Sequence, residues 1–306
     1  MAEGREKTEN RILAVVGPTA SGKTGAAMHA ALRVGGEIIS CDSVQVYRGF
    51  AIGCAKPTAL EQRQVPHHLI DVVGFDEPFD AQRFRELAHA AIDDIRRRGK
   101  TPVLCGGTGL YLRTLRWGLV DAPPANEELR RRLMAQESET PGALYQRLQE
   151  VDWVTAQSTE PRNLVHIIRA LEIHAHTGEP ASILRSRHGF ARELVPMRVV
   201  LLHRASNILR QRIVRRTEQM LAQGLLDEVS GLLKQGVPVD CRPMQSVGYR
   251  EAASVVLGNE PVIGLAERIV HSTWVYARRQ RTWFRRERDV EYIDADDEQT
   301  LINLQP

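Results

Sequence analysis

An α/β fold, a mostly parallel sheet flanked by helices with a helical insertion, is predicted by three features of the sequence. Short apolar, β-branched runs recur at residues 12–16, 37–40, 102–105, 199–202 and 290–293, with long helix-like stretches between several of them. Runs without polar alternation suit strands buried on both faces, as in parallel sheets. The first three runs end in distinctive residues: a Gly-rich loop at 17–24, Asp42-Ser43, and Gly106-Gly107-Thr108-Gly109. Such sheets gather ligands at the carboxyl ends of their strands, so these ends should converge. Between Asp121 and Pro196 the strand pattern gives way to helical spacing.

The loop Gly17-Pro18-Thr19-Ala20-Ser21-Gly22-Lys23-Thr24 fits the pattern G-x-x-x-x-G-K-[ST] and follows the first apolar run. Gly17 and Gly22 let backbone N–H groups close around phosphate oxygens, and a helix beginning near Lys23 adds its N-terminal dipole. Lys23 supplies a point charge and Thr24 a hydroxyl suited to Mg²⁺. The core is therefore expected to be P-loop NTPase-like. An ordinary Gly-rich turn is the plainer alternative, and the motif names neither the phosphate nor the reaction.

Residues 1–121 read as the first part of this core, 122–196 as the insertion, and 197–306 as a return to the core with basic C-terminal helices. Ala122-Pro123-Pro124 breaks the chain. Leu129, Leu133 and Met134 then share one helix face, as do Leu164, Ile167, Ile168 and Leu171, with a stop at Thr177-Gly178-Glu179-Pro180. Residues 204–236 read as amphipathic and helical, with Arg204, Arg210, Arg212, Arg215 and Arg216 available for phosphates or acidic partners.

The 306 residues contain 42% hydrophobic and 26% charged side chains, as in a soluble globular protein. The longest apolar runs fall far short of the roughly 20 residues that cross a bilayer, so no membrane association is expected. The polar opening MAEGREKTEN has no apolar signal core. Cys41, Cys54, Cys105 and Cys241 form no C-x-x-C pair, which argues against a zinc site or disulfide framework and for a cytoplasmic setting. Lys occurs only at 7, 23, 56, 100 and 234, leaving 36 Arg among the 41 basic residues. Arg278, Arg279, Arg281, Arg285, Arg286 and Arg288 crowd around Trp283 and Phe284, a pattern that suits either a nucleic-acid backbone with exposed bases or a solvated helix face.

Asp42 could be a magnesium-side carboxylate, a general base for an incoming nucleophile, or a structural cap. The Gly106–Gly109 turn could bring backbone close to a ligand with the Thr108 hydroxyl as donor, or be a turn without one. His67-His68 lies in a turn-like stretch, and His174 and His176 are spaced against sharing a metal on one helix face.

Taken in order, GPTASGKT (17–24), DSVQVYRG (42–49), IGCAKP (52–57), PHHLID (66–71), GGTGLYL (106–112), RALEI (169–173), MLAQGLLDEV (220–229), SVGYRE (246–251) and ARRQRTWFR (277–285) resemble the tRNA dimethylallyltransferases, also called tRNA isopentenyltransferases. These enzymes transfer a dimethylallyl group from its diphosphate to the exocyclic amine of adenosine 37, next to the tRNA anticodon.

The resemblance implies that Gly17, Pro18, Thr19, Ala20, Ser21, Gly22, Lys23, Thr24 and Arg216 hold the diphosphate, with Mg²⁺ at Thr24. It makes Asp42, Lys23 and Thr108 catalytic, Asp42 facing the attacking amine. It places tRNA contacts at Asp42, Ser43, Val44, Gln45, Thr108, Arg130, His166, Arg169, Gln245, Gly248, Tyr249 and Arg250, with Arg278 and Arg281 on the backbone. The expected partners are the tRNA anticodon stem-loop and dimethylallyl diphosphate, and the expected state is a monomer. Where the family commonly has Asn-Asp and then Arg before RALE, this chain has Arg162-Asn163 and His166. The absence of a zinc-finger extension suggests a bacterial-type enzyme. A small-molecule P-loop kinase and an RNA-binding protein with a vestigial loop are the competing readings.

Overall fold

A computed structural model describes residues 11–306, so the polar opening at 1–10 lies outside the described residues. The elements up to the insertion are β1 (Ile12–Val16), α1 (Lys23–Arg33), β2 (Glu37–Cys41), α2 (Ala59–Gln64), β3 (His67–His68), α3 (Ala81–Arg97), β4 (Pro102–Gly106) and α4 (Gly109–Trp117). The insertion holds α5 (Glu127–Glu139), α6 (Ala143–Val151), α7 (Trp153–Gln157), α8 (Leu164–Thr177) and α9 (Ala181–His188). The chain then continues as β5 (Met197–His203), α10 (Ser206–Ala222), α11 (Leu225–Lys234), α12 (Tyr249–Val256), α13 (Leu265–Phe284), β6 (Val290–Asp294) and α14 (Glu298–Ile302).

Six strands form one sheet in the order β3-β2-β4-β1-β5-β6, every pairing parallel. The apolar runs become β1, β2, β4, β5 and β6, and the sixth strand is His67–His68, which pairs with Ile38 and Ile39. The turn expected there is instead a two-residue edge strand, too short to show period-2 patterning. All five residues of β1, β2 and β4 are buried. That follows from helices covering both faces, since one apolar cluster contains Ile12, Ala14 and Val16 and another contains Leu13 and Val15.

Helix α3 shows how a covering helix is specified. Asp80 caps it by accepting from the Arg83 N–H, and Phe84, Ala88, Ala91, Ile92 and Ile95 recur on one buried face. Phe84 stacks on Tyr111 with centroids 4.4 Å apart. Full burial of one such apolar side chain stabilises by about 1.5–3 kcal/mol.

The chain divides into two compact units, one comprising the residues up to Arg116 with Leu194–Pro306, the other Trp117–Glu193. These limits fall a few residues before the 122 and 196 read from the Pro-rich break and the return to strand pattern. The second unit is helical and has its own core, built on Leu133, Leu144, Leu148, Ile167 and Leu171. Met134, expected beside Leu133, is exposed. The departure Asn163 caps α8, its Oδ1 accepting from the His166 N–H at 3.4 Å. The helical reading of residues 204–236 takes the form of two helices, parted at Gly224.

Candidate active site

The carboxyl ends of β1, β2 and β4 lie side by side because β4 pairs with both β1 and β2. The strand ends and the segments that follow β1 and β2 line one cavity of about 380 Å³, which contains Thr19, Lys23, Thr24, Asp42 and Gly106 but not Thr108. Ser43, Val44, Gln45, Arg216, Gln245, Gly248 and Arg250 line the same cavity. Its volume is in the range of small-ligand sites, about 300–1,000 Å³.

In the loop, Gly22 takes φ 100° and Ala20 φ 63°, both in the left-handed region. Ala20 pays a steric cost that glycine would not. Arg212 Nε donates to the Ala20 carbonyl at 2.8 Å, and Arg204 Nε to the Ser21 carbonyl at 2.9 Å. Lys23 begins α1, and among the described residues its ammonium donates only to the Pro18 carbonyl, at 3.3 Å. Burial pushes the Lys23 pKa down, opposed chiefly by the nearby Cys105 and Asp42. Arg216, half-buried on α10, has no ion pair or hydrogen-bond partner among the described residues, and burial lowers its pKa too. Two desolvated cations without a bonded carboxylate make a site that an anion stabilises.

Asp42 Oδ1 accepts from the N–H groups of Val44 at 2.8 Å and Gln45 at 3.2 Å. Asp42 thus closes a turn rather than capping a helix, since the next helix begins only at Ala59, and its Oδ2 is left for another task. Gln45 is fixed in turn by the Ser40 hydroxyl at 2.9 Å and the Ala55 carbonyl at 3.2 Å. The Thr108 hydroxyl is buried without a hydrogen-bond partner, a state that a bound polar group would relieve.

Of the two readings open for the Gly106–Gly109 turn, close packing holds at two of its glycines, where helix α13 occupies the approach. A Cβ on Gly107 would lie 2.4 Å from Gln280 Nε2, and one on Gly109 2.1 Å from the Trp283 ring. Correspondingly, Phe284 is fully buried and Trp283 packs against the core under the Arg113 guanidinium, 4.6 Å from its centroid. These aromatics therefore offer no faces to exposed bases, because the helix needs them as its inner surface. Arg278 and Arg285 are exposed, and Arg281 donates to the Ser206 hydroxyl at 2.9 Å.

Other residues expected at RNA are variously placed. Tyr249 is fully buried, its hydroxyl donating to Glu228 at 2.5 Å and accepting from the Gly53 N–H at 3.1 Å, so its side chain has no surface to offer. In the second unit Arg130 and Arg169 both grip the buried Glu172, at 3.1 Å and 2.5 Å, and His166 is exposed. Sequence reasoning offered no reading for Gln280 at the site, and it assigned Arg204 and Arg212 to phosphates or acidic partners where they instead brace loop carbonyls. For Gln280 a signal existed: it is the polar member of the buried α13 stripe Leu265, Ile269, Ala277, Gln280 and Phe284.

A family model described as IPP transferase matches residues 45–287. The chain belongs to the IPP transferase family. It is 45% identical over 285 residues to tRNA dimethylallyltransferase 1 of Pelobacter propionicus, covering 93% of this chain and 92% of that one. It is 47% identical over 275 residues to the tRNA dimethylallyltransferase of Sorangium cellulosum, covering 90% and 87%. Among solved structures it is similar to the tRNA isopentenylpyrophosphate transferase of Bacillus halodurans, with TM-score 0.69 and 37% identity over 96% of this chain and 93% of that one. It is also similar to a eukaryotic dimethylallyltransferase acting on tRNA, with TM-score 0.77 and 26% identity over 96% of this chain and 76% of that one.

The family's donor set can be tested for Mg²⁺ on this chain. Among the described residues no group of three or more His, Cys, Asp or Glu could hold a metal. Thr24 is exposed on the cavity with no hydrogen-bond partner for its hydroxyl, and Asp42 lines the same cavity. A sparse oxygen set of this kind fits Mg²⁺, which keeps several waters and takes its remaining ligands from substrate phosphates.

Proposed function

We propose that this protein transfers a dimethylallyl group from dimethylallyl diphosphate to the exocyclic amine of adenosine 37 of tRNA, releasing diphosphate. The observation that carries this reading is that the anion cradle of Lys23 and Arg216 shares one cavity with Asp42 and with the apolar side chains of Ile213, Met220 and Ile269. A diphosphate, an apolar prenyl group and a basic carboxylate would thus meet in one space.

In the reaction the allylic C1–O bond breaks and a C1–N bond to the adenine amine forms. The developing charge on the departing diphosphate falls on Lys23, Arg216 and those loop N–H groups that Gln280 and the Pro18 carbonyl do not already hold. Mg²⁺ at Thr24 would add charge neutralisation to the leaving group when bound. Asp42 Oδ2 accepts the proton that the amine sheds, which suits a nucleophile whose lone pair is delocalised. The Thr108 hydroxyl hydrogen-bonds a substrate atom beside it. Because the target base is stacked in the RNA, it is drawn out of the stack to reach Asp42. Gln245, Gly248 and Arg250 line the cavity and serve this approach. Arg278, Arg281 and the second unit's His166, Arg130 and Arg169, none of which lines the cavity, bind other parts of the RNA. The protein acts in the cytoplasm as a monomer.

The test is incubation of unmodified tRNA with dimethylallyl diphosphate. Diphosphate release with a five-carbon mass gain on the anticodon-loop adenosine is expected. ATP consumption without prenylated tRNA would favour the kinase reading instead.

A further inference from the structure

Gln280 uses both ends of its side-chain amide inside the protein. Its Oε1 accepts from the Thr19 N–H at 2.8 Å, and its Nε2 donates to the Gly107 carbonyl at 2.9 Å. Thr19 belongs to the phosphate loop after β1, and Gly107 to the turn after β4. The peptide that carries the Gly107 carbonyl also carries the Thr108 N–H, which donates to the Cys41 carbonyl at 3.2 Å. The residue after Cys41 is Asp42. One run of hydrogen bonds therefore passes from the phosphate loop through Gln280 to Thr108 and on to the strand that ends in Asp42.

We propose that Gln280 is a positioning residue that sets the register between the diphosphate cradle and the pair Thr108 and Asp42. The inference rests on the function proposed above and deepens it. Three strand ends that contribute separate groups to one reaction need fixed separations, because small misplacements of reacting groups cost large factors in rate. Parallel pairing fixes the strands but not the loops beyond them. Gln280 is well suited to bridge those loops, since it is buried and held on a 20-residue helix. Gly107 leaves the room it needs, because any side chain there would displace the amide.

The experiment compares wild type with Gln280→Met, which keeps volume and removes both hydrogen bonds, and with Gly107→Ala, which leaves Gln280 in the sequence but drives its amide aside. Binding of inorganic pyrophosphate is titrated first. Steady-state constants for dimethylallyl diphosphate and for tRNA follow, with thermal melting as the measure of folding. Each variant should bind pyrophosphate about tenfold more weakly, the factor expected when about 1.4 kcal/mol of hydrogen bonding is lost from the cradle's support. kcat should fall as well, while KM for tRNA stays within about twofold of wild type. A role confined to helix packing would lower the melting temperature and leave pyrophosphate affinity and kcat unchanged, and that result overturns the proposal. If Gln280→Met does not fold, Gly107→Ala decides by the same criteria, and Gln280→Glu serves as a further arm that retains the acceptor for Thr19 but loses the donor to Gly107. Pyrophosphate binding does not depend on the acceptor. A wild-type protein that binds pyrophosphate but prenylates no tRNA would therefore sink the proposed function separately from the role of Gln280.

Discussion

Arg204 reaches across 183 positions of sequence to the phosphate loop, its Nε donating to the Ser21 carbonyl at 2.9 Å. The same guanidinium donates to the Ala295 carbonyl at 2.7 Å and pairs with Asp296. It thereby joins the loop to the end of β6. A trans peptide points its C=O and N–H in opposite directions, so holding the Ser21 carbonyl outward turns the Gly22 N–H toward the ligand side. Arg204→Lys keeps the charge but cannot span three acceptors. It is expected to raise KM for the diphosphate donor about fivefold to tenfold, the loss of roughly one hydrogen bond's support, with a smaller effect on kcat. Steady-state kinetics over a donor series checks this. Unchanged KM in the Lys variant would show that charge alone matters there.

Gly109 and Trp283 give a stability prediction with an internal control. A Cβ on Gly109 would stand 2.1 Å from the Trp283 ring, whereas nothing lies within 4 Å of the Cβ position at Gly231 in α11. Gly109→Ala should destabilise by about 1–3 kcal/mol through overpacking. Gly231→Ala should stabilise by roughly 0.5–1 kcal/mol through helix propensity. Denaturant unfolding of the two variants separates the effects, and a neutral Gly109→Ala would mean that α13 moves aside without cost.

The buried Glu37 carboxylate sets an acid limit on the sheet. The Arg98 guanidinium beside it, helped by His68 at 2.7 Å and opposed by burial, holds its pKa down at about 2. A carboxyl whose folded pKa is depressed contributes stability that is fully present above its unfolded pKa and is lost as pH falls toward the folded value. Here that window runs from the ordinary carboxylate range near 4.5 down to about 2. Melting temperature should therefore decline through this range. Glu37→Gln should flatten the decline while modestly lowering stability near neutrality, because the carboxylate is buried but its Arg98 partner is exposed and screened by solvent. Parallel slopes for wild type and variant would remove Glu37 as the cause.

Asp42→Asn separates the turn from the chemistry. Asn retains an Oδ1 able to accept from the Val44 and Gln45 N–H groups that Asp42 holds at 2.8 Å and 3.2 Å, but it cannot take a proton. Prenyl transfer should fall by about 100-fold or more, in line with loss of a general base, with tRNA binding and folding retained. Filter binding beside single-turnover transfer checks it. Weakened binding that parallels the lost transfer would assign Asp42 to RNA contact or to structure alone.

The strands were legible because burial on both faces leaves β1 and β4 without charged side chains and β2 apolar at Ile38, Ile39 and Cys41, and because the loop after β1 has a spacing set by phosphate geometry. His67–His68 escaped because two residues carry no period. Around the site, Lys23, Thr24 and Asp42 could be read locally, each following its own strand. Gln280, Arg204 and Arg212 could not, since each acts on a loop 183 to 261 positions away and only the sheet order brings them there. The glycines of the Gly106–Gly109 turn carried the right message, close approach, but not what approaches. That depends on the packing of α13, which local sequence does not encode.

The second unit offers a further test of how the work is divided. The Leu194 N–H donates to the Arg116 carbonyl at 2.7 Å, so the chain leaves and re-enters the core at adjacent points. The unit's apolar cluster is drawn entirely from its own helices, and none of the six strands comes from it. Replacing residues 118–193 with a short Gly-Ser linker should accordingly leave a core that folds cooperatively, since closing so small a gap costs little chain entropy. Pyrophosphate affinity should stay within about threefold of the full chain, because Lys23, Arg216 and Gln280 all belong to the core. Affinity for an anticodon stem-loop RNA should fall by about tenfold or more if several cationic contacts go with the unit, and the salt dependence of the remaining binding should become shallower. Circular dichroism, pyrophosphate titration and RNA binding at two salt concentrations test each part. A core that binds the RNA as tightly as the full chain would move recognition to the cavity rim and α13.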